Sequence, residues 1–508
     1  MKLFILTSCI VFIFITKLFA FLEPVERDIQ TYAVLGHEIL NGKALYKDYF
    51  TQKPPLLFLT YALGEWVAGY GEPGIFFINL VSVLLGLYGV YTLTKTAGGN
   101  DQTALTSSAL WSILCGDMLL QANQPNTELF INIAIIFIAN GFLLLNNKSK
   151  KEDTKFLVIT IALLCFTATA YKTIAIAIIA FISISYLFNN QTSKNNINEK
   201  LKNISKIIML GAIFWASLFF YYYLSNSINE FYECMVEYNL YYSGRSIFNN
   251  ILLSLQPSLA FPHFIYSLTP LLLIGIGYSI YSAIKLKQPL YLFWAIGTQI
   301  SIALPGQFYP HYYQLWIPFI AVASSFGIQA LYLSNSHKKA THSILIVALT
   351  LFAGRIIYAY QWSPEEWSKY KYASIKSNHQ YGEVFVKTKE VGLQLKSLLR
   401  EDEHMYAWSN EPGLYMWAEK TPAKGTTWVK ILLNGPLASK YQQIAQNELK
   451  AIKPEVVVVN LTLASTKYTN NNVFRYITEN YSPYVRNERF LIMARKGSRF
   501  LKMKKKVH

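Results

Sequence analysis

Charge is what this sequence of 508 residues lacks. Only 15% of it is Asp, Glu, Lys or Arg, against about 25% in ordinary globular chains. Hydrophobic residues make up 53% and mean hydropathy is +0.25. Cysteine is scarce too. Three of Cys9, Cys115, Cys165 and Cys234 lie in apolar stretches and no two have metal-ligand spacing, so no disulfide framework or zinc site is encoded. Neither GxGxxG nor a P-loop occurs, which leaves a nucleotide site without support. There is no internal repeat, and the single low-complexity tract is an Asn/Lys-rich segment at 189–203.

What is present is apolar sequence in long blocks rather than in amphipathic stripes, the pattern of a polytopic α-helical membrane protein. The block at 3–21 reads as a retained first span. Its apolar run is long, and Leu18 stands where a cleavage site ending at Ala20 wants a small residue. Further spans are expected at about 74–94, 103–120, 128–146, 156–170, 173–188, 205–224, 264–284, 289–304, 312–333 and 342–361, about eleven in all. The apolar run at 55–70 is expected to lie in or dip into the interface. Thirteen lysines fall in the connectors at 95, 148–155, 194–206, 285–287 and 338–339, whereas the opposite connectors hold Arg27, Lys43, Lys47, Lys53 and Arg245. The positive-inside rule then puts the N-terminus in the cytoplasm and the loop at 23–57 outside. The block at 156–188, basic on both flanks, has to turn near Tyr171-Lys172, which carries Lys172 to the outer face. Lys17 and Arg355, near the outer ends of their helices, are expected to snorkel. Asp117, inside a span, reads either as a functional acid or as a polar contact between helices.

After Trp362 the composition becomes that of a soluble domain, with 24 lysines and arginines against 13 acids. An amphipathic run at 383–400, a strand at 405–408, a turn at 409–413, a helix at 437–450 and strands at 455–459 and 490–494 predict a small C-terminal extracytoplasmic α/β domain. The expected division is 1–361 for the membrane module, 362–500 for the α/β domain and 501–508 for a basic, frayed tail. The basic balance suits anionic headgroups or an acidic glycolipid, or is ordinary solubilising charge; no nucleic-acid partner is indicated.

The polar residues gather on connectors that topology assigns to one surface. The first loop carries Glu26, Arg27 and Asp28, then Tyr32, Gly42, Tyr46 and Lys53-Pro54-Pro55. The next outer connector carries Gln124 to Glu128, Lys172 follows, and His311-Tyr312 lie in a later one. Carboxylates beside cations suit transfer from a phosphate donor: an acid takes the acceptor's proton, and cations hold the charge growing on the departing phosphate.

A first span followed by an outer loop with an acidic pair, a Tyr four residues on, Gly42-x-x-x-Tyr46 and Lys53-Pro54-Pro55 resembles the GT-C glycosyltransferases, within them glycosyltransferase family 39. That family includes protein O-mannosyltransferases and the lipid A aminoarabinose transferase. Glu128 matches the acid that opens the family's fourth span, and His311-Tyr312-Tyr313 with Pro318 resembles a later segment. Bacterial members often have Asp-Glu where this chain has Asp28-Ile29; here the second acid, Glu26, comes before. The resemblance implies a polyprenyl-phosphate-linked sugar donor and a glycan, lipid or protein acceptor. It also implies inversion, with Asp28 as general base, Glu26 and Glu128 as further catalytic acids, and Lys53 and Lys172 on the donor phosphate. Tyr32, Tyr46, His311 and Tyr312 would line the substrates. Glu128 would orient the acceptor or help hold a divalent cation; no other cofactor and no metal ligand set is implied. The expected location is the bacterial inner membrane.

Each of these residues also has a plain reading. Asp28 would be a helix N-cap, Glu128 a first-turn acid, Lys53 an interface anchor, Lys172 a snorkelling lysine and His311 an interfacial hydrogen-bonding group. The rival functions are a transporter or flippase of lipid-linked sugars and a glycan ligase or polymerase. A transporter places its ionisable groups near the bilayer midplane in paired halves, whereas this chain keeps them at one face.

Overall fold

The computed structural model describes residues 1–147, 151–189, 197–244, 246–255, 268–333, 338–370, 382–464 and 470–504. Arg245, most of the Asn/Lys-rich tract, Lys148, Lys150 and the last four residues therefore lie outside the described residues. The chain packs as two units. One comprises Met1–Ala20, Phe76–Tyr221 and Ser243–Ser363, the other Phe21–Ile75, Tyr222–Tyr242 and Pro364–His508. Residues 21–75, with the first polar loop, and the short segment at 222–242 thus fall in the same unit as the C-terminal residues.

The first unit is helical. Seven helices among the described residues are long and apolar enough to cross a membrane, by length and composition: Lys2–Leu22, Glu72–Thr96, Thr127–Asn146, Thr154–Tyr171, Ile197–Leu224, Pro310–Leu333 and Ser343–Tyr360. They are apolar all round, as helices in lipid are. Ala175–Phe188 and Leu290–Ala303 are apolar but have 14 residues each, about 21 Å of rise against a hydrocarbon core of about 30 Å. Small residues let these helices approach closely. A Cβ on Gly297 would lie 2.9 Å from the Ile178 backbone, and one on Gly327 would lie 2.6 Å from the Ile274 side chain. Hydroxyls close other helix pairs, Ser301 Oγ donating to Ile174 O at 2.8 Å and Ser324 Oγ to Leu271 O at 2.7 Å. The block expected to turn near Lys172 does so, one helix ending at Tyr171 and the next starting at Ala175.

One expected span is broken. The helix Asp101–Leu114 stops short, and residues 115–126 run as irregular backbone around a 3-10 turn, Met118–Leu120. Asp117 caps the 3-10 turn, its Oδ1 accepting from Leu120 N at 3.1 Å, and Gln121 ends the turn at φ +57°.

In the second unit, helices Arg27–Leu40 and Pro55–Ala68 pack at Gly36, where a Cβ would lie 2.9 Å from Ala62 N and 3.0 Å from Phe58 O. The C-terminal part holds four strands: β1 Met405–Trp408, β2 Val456–Asn460, β3 Tyr481–Arg486 and β4 Phe490–Arg495. They lie in the order β1-β2-β4-β3, β1 and β2 parallel and the other pairs antiparallel. Met405, Ala407, Val456, Val458, Ile492 and Ala494 meet Phe385, Val391, Leu395, Leu414 and Tyr415 in one core. β3 and the helix Asn472–Asn480 have no counterpart among the sequence expectations. β3 is an edge strand with half its side chains outward and an irregular register between Pro483 and Val485, so it carries no clear apolar alternation.

At the far end of Arg27–Leu40, His37 Nδ1 meets Glu65 Oε1 at 2.7 Å, and its ring stacks on Tyr70 with centroids 3.9 Å apart. Burial lowers the imidazole pKa, but the Glu65 hydrogen bond and the charges of Glu65, Glu38 and Glu419 outweigh it, so the net shift is upward from 6.5. A histidine shifted upward on folding adds stability below its unfolded pKa and loses that contribution as pH rises past the folded value. Melts of the purified protein should therefore show wild type above His37→Gln at pH 6, with the gap closing as pH rises beyond the raised pKa. A gap that widens with pH excludes this joint.

Candidate active site

The first loop enters its helix at Arg27. Glu26 holds the N-cap position with extended backbone but makes no side-chain capping bond. Asp28 is therefore the second helical residue rather than the cap, where a carboxylate interacts favourably with the helix dipole. One turn on, Tyr32 donates its hydroxyl to Asp28 Oδ2 at 3.4 Å. The Tyr32 ring packs edge-on against Phe58 and Tyr61, and the Lys53 ammonium lies 5.9 Å from its centroid. One buried phenol thus touches both the acid and the cation. Tyr61, fully enclosed, lies within electrostatic reach of Asp28 and Glu26; burial first, then those two charges, raise its pKa.

Lys53 is placed by aromatic packing. Tyr46, at φ +69°, donates its hydroxyl to Lys53 O at 2.8 Å, and its ring meets Tyr222 and Phe231 edge-on at 5.3 and 5.1 Å. Phe50 packs against Tyr238 and Tyr441, and Asn239 Nδ2 donates to Gln52 O at 3.0 Å. Buried at 1% exposure, Tyr46 acts here as a support for the Lys53 backbone.

The turn after β1 docks on the start of the same helix. Glu411, fully buried, pairs with Arg27, whose Nε lies 3.0 Å from Oε1. Gly413 N donates to Gln30 Oε1 at 3.0 Å, and a Cβ at Gly413 would lie 2.6 Å from the Gln30 side chain. Lys430 N donates to Asn410 Oδ1 at 2.9 Å. Glu411, Trp428 and Lys430 are absent from the residues singled out in the sequence. They reach the Asp28 end through a parallel β1–β2 crossover, and residues past the carboxyl end of such strands are where ligands bind in α/β sheets.

In the first unit Glu128 opens the helix Thr127–Asn147 and Lys172 sits at the break after Tyr171. Lys172 Nζ lies 2.7 Å from Glu128 Oε1 and 3.7 Å from the Tyr312 ring centroid. Both members of the pair are buried, so Lys172 does not snorkel. His311 Nδ1 is 2.9 Å from Gln121 Oε1; its ring stacks on Tyr309 and meets Tyr312 edge-on.

Behind this group lies the irregular backbone of 115–126, all of it buried. Lys17 donates to Cys115 O, Ala122 O and Asn123 O at 2.7, 3.0 and 3.2 Å. Asn79 donates to Asn123 O, Tyr360 to Gly116 O, and Gln314 to Leu120 O and Gln121 O. Arg355 forks onto Asp117, Nη2 to Oδ1 at 3.0 Å. The expected snorkelling of Lys17 and Arg355 is thus overturned. Both turn inward, because carbonyls released by a broken helix need donors where water is excluded. Of the two readings of Asp117, the structure shows the polar contact.

The structure thus groups Asp28, Tyr32, Tyr46 and Lys53 in one unit, with Glu26 beside Asp28, and Glu128, Lys172, His311 and Tyr312 in the other. Among the described residues no group of three or more His, Cys, Asp or Glu side chains is arranged to hold a metal ion.

Two solved structures align with nearly the whole chain. They are ArnT from Cupriavidus metallidurans bound to undecaprenyl phosphate and the same protein in the apo state. Each has a TM-score of 0.62 and 11% identity over 97% of both chains. The chain shares its fold with ArnT. An oligosaccharyltransferase from Archaeoglobus fulgidus, in complex with Zn and sulfate, also matches, with TM-score 0.48 and 12% identity over 97% of this chain and 73% of the other. No family model matches the sequence, and no curated protein matches it. With this fold and its membrane-length apolar helices, the protein is an integral membrane protein.

Removing Lys17 takes the side-chain donor from Cys115 O and Ala122 O, each costing about 1–3 kcal/mol when buried unpaired. Lys17→Met should melt well below the lipid-face control Leu18→Ala, and equal melting would show that the lysine does not hold this backbone. For Glu128 and Lys172, either single change (Glu128→Gln or Lys172→Met) should cost about 3 kcal/mol by breaking a buried ion pair. The double change should cost less than the sum; strict additivity in a double-mutant cycle would show no coupling.

Proposed function

We propose that this protein is a glycosyltransferase of the bacterial inner membrane, with its N-terminus cytoplasmic. It moves a sugar from a polyprenyl-phosphate donor to an acceptor hydroxyl on the extracytoplasmic side, with inversion. The observation that carries the reading is the fold shared with ArnT across both chains, one ArnT structure holding undecaprenyl phosphate. The side chains supply compatible chemistry.

Asp28 acts as general base. Tyr32 holds Oδ2, and Oδ1 takes the acceptor's proton. The deprotonating hydroxyl oxygen attacks the anomeric carbon, the bond from that carbon to the phosphate oxygen breaks, and its electron pair leaves on the phosphate. A diester becomes a monoester, so the departing group gains charge and needs cations more than it needs an acid. Lys53, whose ammonium lies 5.9 Å from the centroid of the Tyr32 ring, supplies one. Glu26 acts beside Asp28.

Asp28→Asn should lower transfer by about a thousandfold, within the usual range for losing a positioned base, and leave the melting point near wild type. The assay uses purified protein with defined polyprenyl-phosphate sugars, reading released polyprenyl phosphate against glycosylated product. Full activity in that variant sinks the assignment of the base. Sugar crossing a vesicle membrane with no bond cleaved sinks the transferase reading altogether.

A further inference from the structure

Lys430 is a half-buried cation with no hydrogen-bond or ion-pair partner on its ammonium among the described residues. Tyr242 and Trp428 flank it, their ring centroids 5.2 and 5.3 Å from Nζ. Its backbone is tied to the turn after β1 through Asn410, the turn whose Glu411 neutralises Arg27. Arg27 and Asp28 both act electrostatically on the Lys430 ammonium, so it stands at the Asp28 end of the helix Arg27–Leu40. Burial and the Arg27 charge lower its pKa, and Asp28 raises it only in part. A cation held among aromatic rings and only incompletely compensated is poorly solvated. It gains most from an incoming anion.

We propose that Lys430 binds a phosphate oxygen of the substrate, so that the C-terminal α/β part of the chain supplies a substrate-binding group beside Asp28. Tyr242 and Trp428 hold the lysine stem and screen the contact from water, and Arg27, already paired, contributes field rather than a second contact. This rests on the function proposed above and adds a cation that the first loop does not contain. Two sources carry the same chemistry: the lipid phosphate of the donor, or a phosphate on a glycolipid acceptor.

The test uses the purified full-length chain in lipid nanodiscs. Lysine acetylation is read residue by residue by mass spectrometry with undecaprenyl phosphate, undecaprenol or a hexose 1-phosphate added. Labelling of Lys430 should fall severalfold with a phosphate-bearing probe and stay unchanged with undecaprenol, while exposed Lys424 reports no change. Protection by undecaprenyl phosphate assigns the donor, and protection by the hexose phosphate alone assigns the acceptor. In parallel, Lys430→Gln should bind the protecting probe about tenfold or more weakly, the loss of one charge-assisted hydrogen bond. Lys430→Arg should keep most of the affinity.

If wild type binds undecaprenyl phosphate better than undecaprenol, but neither phosphate shields Lys430 and Lys430→Gln keeps full affinity, this inference is overturned and the proposed function stands. If wild type shows no preference for the phosphate at all, the proposed function fails first.

Discussion

A backbone that leaves the helix inside an apolar bundle has to find its hydrogen bonds in side chains, and residues 115–126 do so. Lys17, Asn79, Gln314 and Tyr360 donate to six of their carbonyls, while Arg355 grips Asp117. An unsatisfied peptide group costs several kcal/mol in hydrocarbon, so this segment persists only because the surrounding helices present those donors. Its position in turn places Gln121 against His311 and starts the helix that carries Glu128. The polar chemistry of the first unit rests on this buried segment.

The second unit solves a different problem, the holding of a polar loop with few charges. Aromatic rings do most of it. Tyr46, Phe50, Tyr222, Phe231, Tyr238 and Tyr441 interlock around the approach to Lys53, and Tyr32 links that lysine to Asp28. Edge-on ring pairs combine large buried area with defined direction. The C-terminal strands then add Glu411 and Lys430 to the same helix end, so residues nearly four hundred positions apart in the chain share one electrostatic environment.

Much of this was legible from residue order. The apolar blocks, the turn at Lys172 and strands β1, β2 and β4 follow from hydropathy and periodicity, which are local properties, whereas the expected loop at 23–57 contains the helix Arg27–Leu40. The span expected at 103–120 is interrupted at Asp117, one acid that scarcely lowers the hydropathy of the stretch. It caps the 3-10 turn that follows the helix. β3 escaped notice because an edge strand with a proline buries only part of one face.

The sequence by itself determined that this is a membrane chain with a polar first loop and an α/β C-terminal part, since hydropathy and pattern depend on near neighbours. Tertiary structure alone decided that Lys17 and Arg355 point inward, that Lys172 is paired to Glu128, and that Glu411 meets Arg27. A charged side chain goes where its partner is, and each of these partners belongs to a distant segment that only folding brings within hydrogen-bond reach.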